Sequence, residues 1–128
     1  MKPKESRMTF LSALILKCEN PEEIALWYRE TMEIPMEKRG DGFSCLLGQT
    51  HFAIHPLLPG QRPTRDVEIG LYVADLDDRV RKLESRNIEL VDPIREHPWA
   101  RAAQIRDPSG NLIYLMQLPE SSLELLFR

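Results

Sequence analysis

The 128-residue sequence predicts an α+β fold made of two copies of one strand, helix and three-strand unit. Three observations carry this. An apolar run stops at the helix start Asn20-Pro21-Glu22-Glu23; an alternating run stops at a second start, Asp75-Leu76-Asp77-Asp78, 55 positions later; and short glycine-punctuated strands follow each helix.

Taken in order, residues 10–18 are apolar and rich in strand formers. Asn20 then caps a helix, Pro21 suits its first position, and the two glutamates favour the positive end of its dipole. That helix carries Ile24, Ala25, Leu26, Trp27 and Tyr28 and fades near Met32. Beyond Pro35, segments broken by Gly40, Gly42 and Gly48 read as strands over 36–39, 43–47 and 50–55. Pro59, Gly60, Pro63 and Thr64 mark a linker. The pattern then restarts. Val67, Ile69, Leu71 and Val73 alternate as a strand, and Asp75 caps a helix that runs through Val80 and Leu83 to about Arg86. Strands are expected over 88–91, 102–106 and 112–118, with Asp107-Pro108-Ser109-Gly110-Asn111 as the turn between the last two. Ile54 corresponds to Leu115, an offset of 61, so the second copy gains about six residues among its later strands.

The chain divides into an extension (1–8), a first unit (9–56), a linker (57–66), a second unit (67–118) and a tail (119–128). In the tail, Leu123, Leu125, Leu126 and Phe127 follow the cap candidates Ser121 and Ser122 as a short amphipathic helix that docks on the body or on a second subunit. Each unit alone leaves one sheet face uncovered, so two units are expected to join their sheets around a shared interior.

Composition narrows the function. Acids outnumber bases, 20 against 17, and the bases are scattered, which argues against nucleic acid or an anionic membrane surface as partner. The apolar stretch 10–16 is far short of the roughly 20 residues of a membrane helix. Lys17, directly before Cys18, lacks the small side chain of a cleavage site, so a cytoplasmic protein is expected. Cys18 and Cys45 have neither zinc nor framework spacing and read as two reduced, buried thiols.

Val73-Ala74-Asp75-Leu76-Asp77 before the second helix, Trp27-Tyr28 late in the first, and Arg106-Asp107-Pro108-Ser109-Gly110-Asn111-Leu112-Ile113-Tyr114-Leu115 near the end carry a family likeness. On these residues the chain, over positions 9–118, resembles the vicinal oxygen chelate superfamily, which includes glyoxalase I, the extradiol dioxygenases and the fosfomycin and bleomycin resistance proteins. The resemblance implies two βαβββ modules forming a curved mixed sheet around a cleft, helices on the outer face, and a homodimer.

The period of two sorts the faces. Ile69, Leu71 and Val73 should meet the helix and leave Glu68, Gly70 and Tyr72 on the other side. Equivalent reasoning packs Leu14, Leu16, Cys18, Phe52, Ile54, Ile113 and Leu115. It turns Leu11, Ala13, Ile15, His51, Ala53, His55, Leu112, Tyr114 and Met116 toward the cleft.

Metal-dependent relatives take ligands from four places, which map here to Ala13, Ala53, Glu68 and Tyr114. Only Glu68 is an ordinary ligand. His51 and His55, four apart on one strand, lie about 13 Å apart, whereas two nitrogens on one zinc are at most about 4.2 Å apart. No metal and no cofactor is therefore expected.

Glu68 and His51 are the candidates for acid/base chemistry, with His51 or Tyr114 as hydrogen-bond partner of Glu68. His55, Tyr72, Tyr114, Trp99 and Arg101 are the candidates for ligand contact. For each a structural role stands beside the functional one: a Glu–His or Glu–Tyr pair, aromatic wall residues, and for Arg101 a salt bridge steadying its strand. The resemblance points to a bleomycin-resistance-like protein binding a small organic ligand. The alternatives are a metal-dependent lyase, isomerase or dioxygenase with a displaced site, a metal-free acid/base enzyme using Glu68 and His51, or a ligand-free relic.

Overall fold

The structure, a computed structural model, describes residues 8–119; the tail helix expected beyond Pro119 lies outside them. The elements are β1 (Ala13–Cys18), α1 (Pro21–Glu30), β2 (Glu37–Arg39), β3 (Gly42–Leu47), β4 (Thr50–Pro56), β5 (Glu68–Val73), α2 (Leu76–Ser85), β6 (Asp92–Glu96), β7 (Arg101–Arg106) and β8 (Leu112–Gln117). Two βαβββ modules result, an α+β fold as expected.

Each module builds its own four-stranded mixed sheet, in the order β1-β4-β3-β2 and β5-β8-β7-β6, with the first and last strands of each module parallel. The sequence offsets reappear in the pairing. Ala13 sits opposite His51, and Glu68, 55 positions after Ala13, sits opposite Leu112, 61 positions after His51. Both helices are capped as expected, the Asn20 side chain accepting from the Glu23 N–H and Asp75 from the Asp78 N–H.

Two expected strands move. Strand β1 begins at Ala13, not residue 10; before it, the carbonyls of Leu11 and Ser12 accept from the Thr50 hydroxyl and the His51 N–H outside the ladder. The strand expected over 88–91 is instead β6, at Asp92–Glu96. Asn87 adopts the left-handed conformation (φ 60°) and the Ile88 N–H bonds back to the Leu83 carbonyl, so Ile88 closes the end of α2 rather than starting a strand. Pro93 is tolerated in β6 because this strand lies at the sheet edge.

The predicted sorting of faces holds. Leu16, Cys18, Phe52, Ile54, Ile69, Val73, Ile113 and Leu115 are buried, and one continuous core draws on both modules and both helices. Ala13, Ile15, His51, Glu68, Gly70 and Tyr72 are exposed on the opposite faces. Ala53 is an exception, small and buried between Ile15 and Ser44 on the neighbouring strands.

The modules meet through their helix-side faces. The Tyr28 hydroxyl of α1 donates to Asp107 Oδ2 in the β7–β8 turn at 2.5 Å. From α2, Arg79 donates to the Met32 carbonyl at 2.9 Å and pairs with Glu33 at 3.0 Å, and Arg86 donates to the Glu30 carbonyl. An apolar cavity of about 220 Å³ separates Leu14 and Phe52 on one side from Ile69 and Leu71 on the other. The shared interior is thus the helix-side core. The outer sheet faces, expected to enclose a cleft, are open to solvent within one chain, because joining the modules back to back leaves them outermost.

Candidate functional site

On the outer face of the second sheet, Glu68, Gly70 and Tyr72 alternate along β5 and Tyr114 and Met116 along β8, with Gly70 directly opposite Tyr114. The Tyr114 hydroxyl donates to Glu68 Oε1 at 2.5 Å. This bond holds the Tyr114 phenol above its ordinary value, so it stays a neutral donor at pH 7. Glu68 Oε2 has no hydrogen-bond partner among the described residues and remains free to accept. Gly70 leaves room beside this pair for the Met116 side chain, whose terminal methyl would lie 2.9 Å from a Cβ at this position and would have to swing aside for any larger residue.

The β6–β7 turn brings a third ring. The His97 N–H donates to the Ala100 carbonyl at 2.9 Å and closes the turn. Trp99 projects from it, 55% exposed, stacked on His97 (4.6 Å, 16° between planes) and edge-on to Tyr114 (5.9 Å, 82°). Tyr72 is 53% exposed on the same sheet face. Glu68, Tyr114 and Trp99 therefore form one contact chain that the structure brings together.

The other candidates are placed differently. Arg101 forms a two-pronged pair with Asp77, both N–O distances 2.9 Å, and its Nε lies 3.5 Å from Glu96, which is the salt bridge weighed for it from sequence. His51 and His55 stand on β4, on the outer face of the other sheet, opposite Ala13 and Lys17. His51 therefore does not partner Glu68 within one chain; Tyr114 does. His97 and Asp77 were not singled out from the sequence. A His-Pro-Trp spacing across a turn was the available signal for His97; Asp77 reads locally as a first-turn acid and nothing more.

Of the four places where related metal enzymes carry ligands, Ala13 and Ala53 offer no donor atom and Tyr114 is a neutral phenol already spent on Glu68. These residues do not fit a divalent ion, and among the described residues no three His, Cys, Asp or Glu side chains come together. Cys18 and Cys45 are free and buried, and burial pushes both thiols up, which keeps them unreactive. A separate open cavity of about 420 Å³ lies between the start of α1 and the β7–β8 turn, near Cys18, Arg65 and Ser109, and contains none of the candidates. Among the described residues no helix is long and apolar enough to cross a membrane.

Residues 11–115 match the family model described as the Glyoxalase/Bleomycin resistance protein/Dioxygenase superfamily. The chain belongs to this superfamily. Its fold is similar to that of TnmS3, an antibiotic binding protein from Streptomyces sp. CB03234, at TM-score 0.73 and 21% identity, covering 88% of this chain and 98% of that one. TioX from Micromonospora sp. ML1 matches at TM-score 0.70 and 15% identity (85% and 98% covered). Lactoylglutathione lyase from Agrobacterium tumefaciens matches at 0.68 and 16% (87% and 95% covered). At these identities the likeness is one of fold, shared by a binding protein and a lyase alike. No curated protein sequence matches the chain significantly.

Proposed function

We propose that this superfamily member binds a small organic molecule without a resident metal, on the outer face of β5 and β8, in a cleft that a second copy of the chain completes. The observation that carries the reading is the Glu68–Tyr114 pair, with one carboxylate oxygen unpartnered among the described residues, set among the exposed rings of Tyr72 and Trp99. Such a face suits a ligand with a flat ring and a hydroxyl or protonated amine to donate to Glu68. Several features support a dimer. Each chain presents two open faces with exposed apolar side chains, Ile15 and Leu46 on one and Tyr72 and Trp99 on the other, and neither covers the other. A two-fold pairing that set one face against the other would bury both and add His51 and His55 to the cleft wall. The antibiotic-binding description of TnmS3 fits this reading.

The test combines mass and binding. Sedimentation should give twice the chain mass. In a titration with flat heteroaromatic amines and phenols followed by tryptophan fluorescence, Glu68→Gln should weaken binding by about 10- to 100-fold, the worth of a hydrogen bond to a charged group. Added chelator should change nothing. A monomer that binds none of these probes, or stoichiometric zinc, nickel, manganese or iron in protein purified without chelator, would sink the proposal.

A further inference from the structure

Arg101 stands at the root of the turn that carries Trp99, and its partner, Asp77, lies in the first turn of α2, 24 residues earlier in the chain. The hairpin needs an outside anchor. Strand β6 is the sheet edge, and its register with β7 breaks between Asp92 and Arg95, so only Arg95–Ala102 and Glu96–Arg101 are paired next to the turn. The turn itself is closed by one backbone bond, His97 to Ala100. Two parallel N–H···O bonds from one guanidinium fix both the distance and the rotation of the group they hold. An exposed pair of this kind adds little to global stability. Its effect is to set where the hairpin tip lies against the sheet.

We propose that Asp77 is a positioning residue for the binding face: through its fork to Arg101 it fixes the hairpin tip and so holds Trp99 edge-on to Tyr114, beside Glu68. Arg101 thereby serves the face through Trp99, with its charge already engaged by Asp77 and Glu96, rather than by touching a ligand. The inference rests on the binding role proposed above for this face, but its central observable, the placement of Trp99, is read on the ligand-free protein.

The chain has two tryptophans, so its two indole N–H signals in a ¹H–¹⁵N spectrum separate Trp99 from Trp27 without a background substitution. In Asp77→Ala the Trp99 indole signal should shift and its ¹H–¹⁵N heteronuclear NOE should fall, as for a ring released to local motion. The Trp27 signal and the melting temperature should stay near those of the parent. Arg101→Ala should reproduce the change, and the double variant should add nothing to either single one, because one coupled pair is removed. An unmoved Trp99 signal in Asp77→Ala overturns the inference. So does a Trp27 signal that moves as far as that of Trp99, since that would mean general loosening of the fold. If the parent protein binds no probe while Asp77→Ala still releases Trp99, the binding role fails and the positioning role stands.

Discussion

Tyr28 is fully buried, and its hydroxyl ends on a carboxylate that is buried as well. Asp107 accepts four hydrogen bonds there, from Tyr28, the Ser109 and Asn111 backbone N–H groups and the Asn111 amide, so its charge is satisfied without a cation. Gly110, at φ 94°, makes the turn that points these donors inward. Burial, reinforced by the adjacent Asp107 carboxylate, holds the Tyr28 phenol far above its ordinary value of 10.0. Above pH 10 the unfolded chain loses this proton while the folded chain keeps it. The stabilisation is therefore complete below pH 10 and declines above it, by up to about 1.4 kcal/mol per pH unit. Tyr28→Phe should cost roughly 2 kcal/mol at pH 7 and flatten that alkaline decline, both measurable by urea unfolding at pH 7 and pH 11. An alkaline slope equal to that of the parent would assign the effect to other groups.

At the scale of elements, α2 caps the end of α1. Helix α1 finishes without a glycine, and Glu33 takes the left-handed conformation (φ 57°) while its carboxylate pairs with Arg79 and Lys82. The carbonyls of Glu30 and Met32 find donors in Arg86 and Arg79 of the second module. Arg79→Ala should destabilise by about 1–2 kcal/mol, having removed a carbonyl's donor and a half-buried ion pair. Lys82→Ala, which removes only exposed pairs, should cost under about 0.5 kcal/mol. Equal losses in denaturant melts would refute the capping role. Much at this scale was legible in the sequence, because caps and period-two alternation are local signals: Asn20, Asp75 and the inward row of Ile69 and Val73, buried, with Leu71, half-buried, all fell where the pattern put them. The fate of residues 88–91 was not, since Ile88 and Leu90 alternate like a strand while the backbone spends Ile88 on closing a helix. Asp77 illustrates the same limit at the site, as its role depends on an arginine that no local pattern connects to it.

Across the whole molecule, the duplication was legible because both offsets are fixed by pairing register, and Tyr114 could be named as a possible partner of Glu68 because register sets both on one face. Which sheet face meets which was not legible. Period two separates the faces of each sheet but carries no information on how two sheets are joined, so the sequence could not tell whether a cleft is closed within one chain or between two copies. The two ladders also share no strand. What spans the halves is the core, the Tyr28–Asp107 bond, the arginine caps, and Thr64, which exchanges hydrogen bonds with Lys17 on one side and accepts from the Asn111 amide on the other. The loop before Thr64 is exposed and holds itself with two bonds between Leu58 and Gln61. Covalent continuity at Gly60–Gln61 is therefore dispensable to the folded particle: a chain nicked there by an inserted protease site should elute as one species in native buffer and come apart into two fragments only in denaturant. Fragments that drift apart in native buffer would mean that the peptide link, rather than the buried contacts, keeps the halves together.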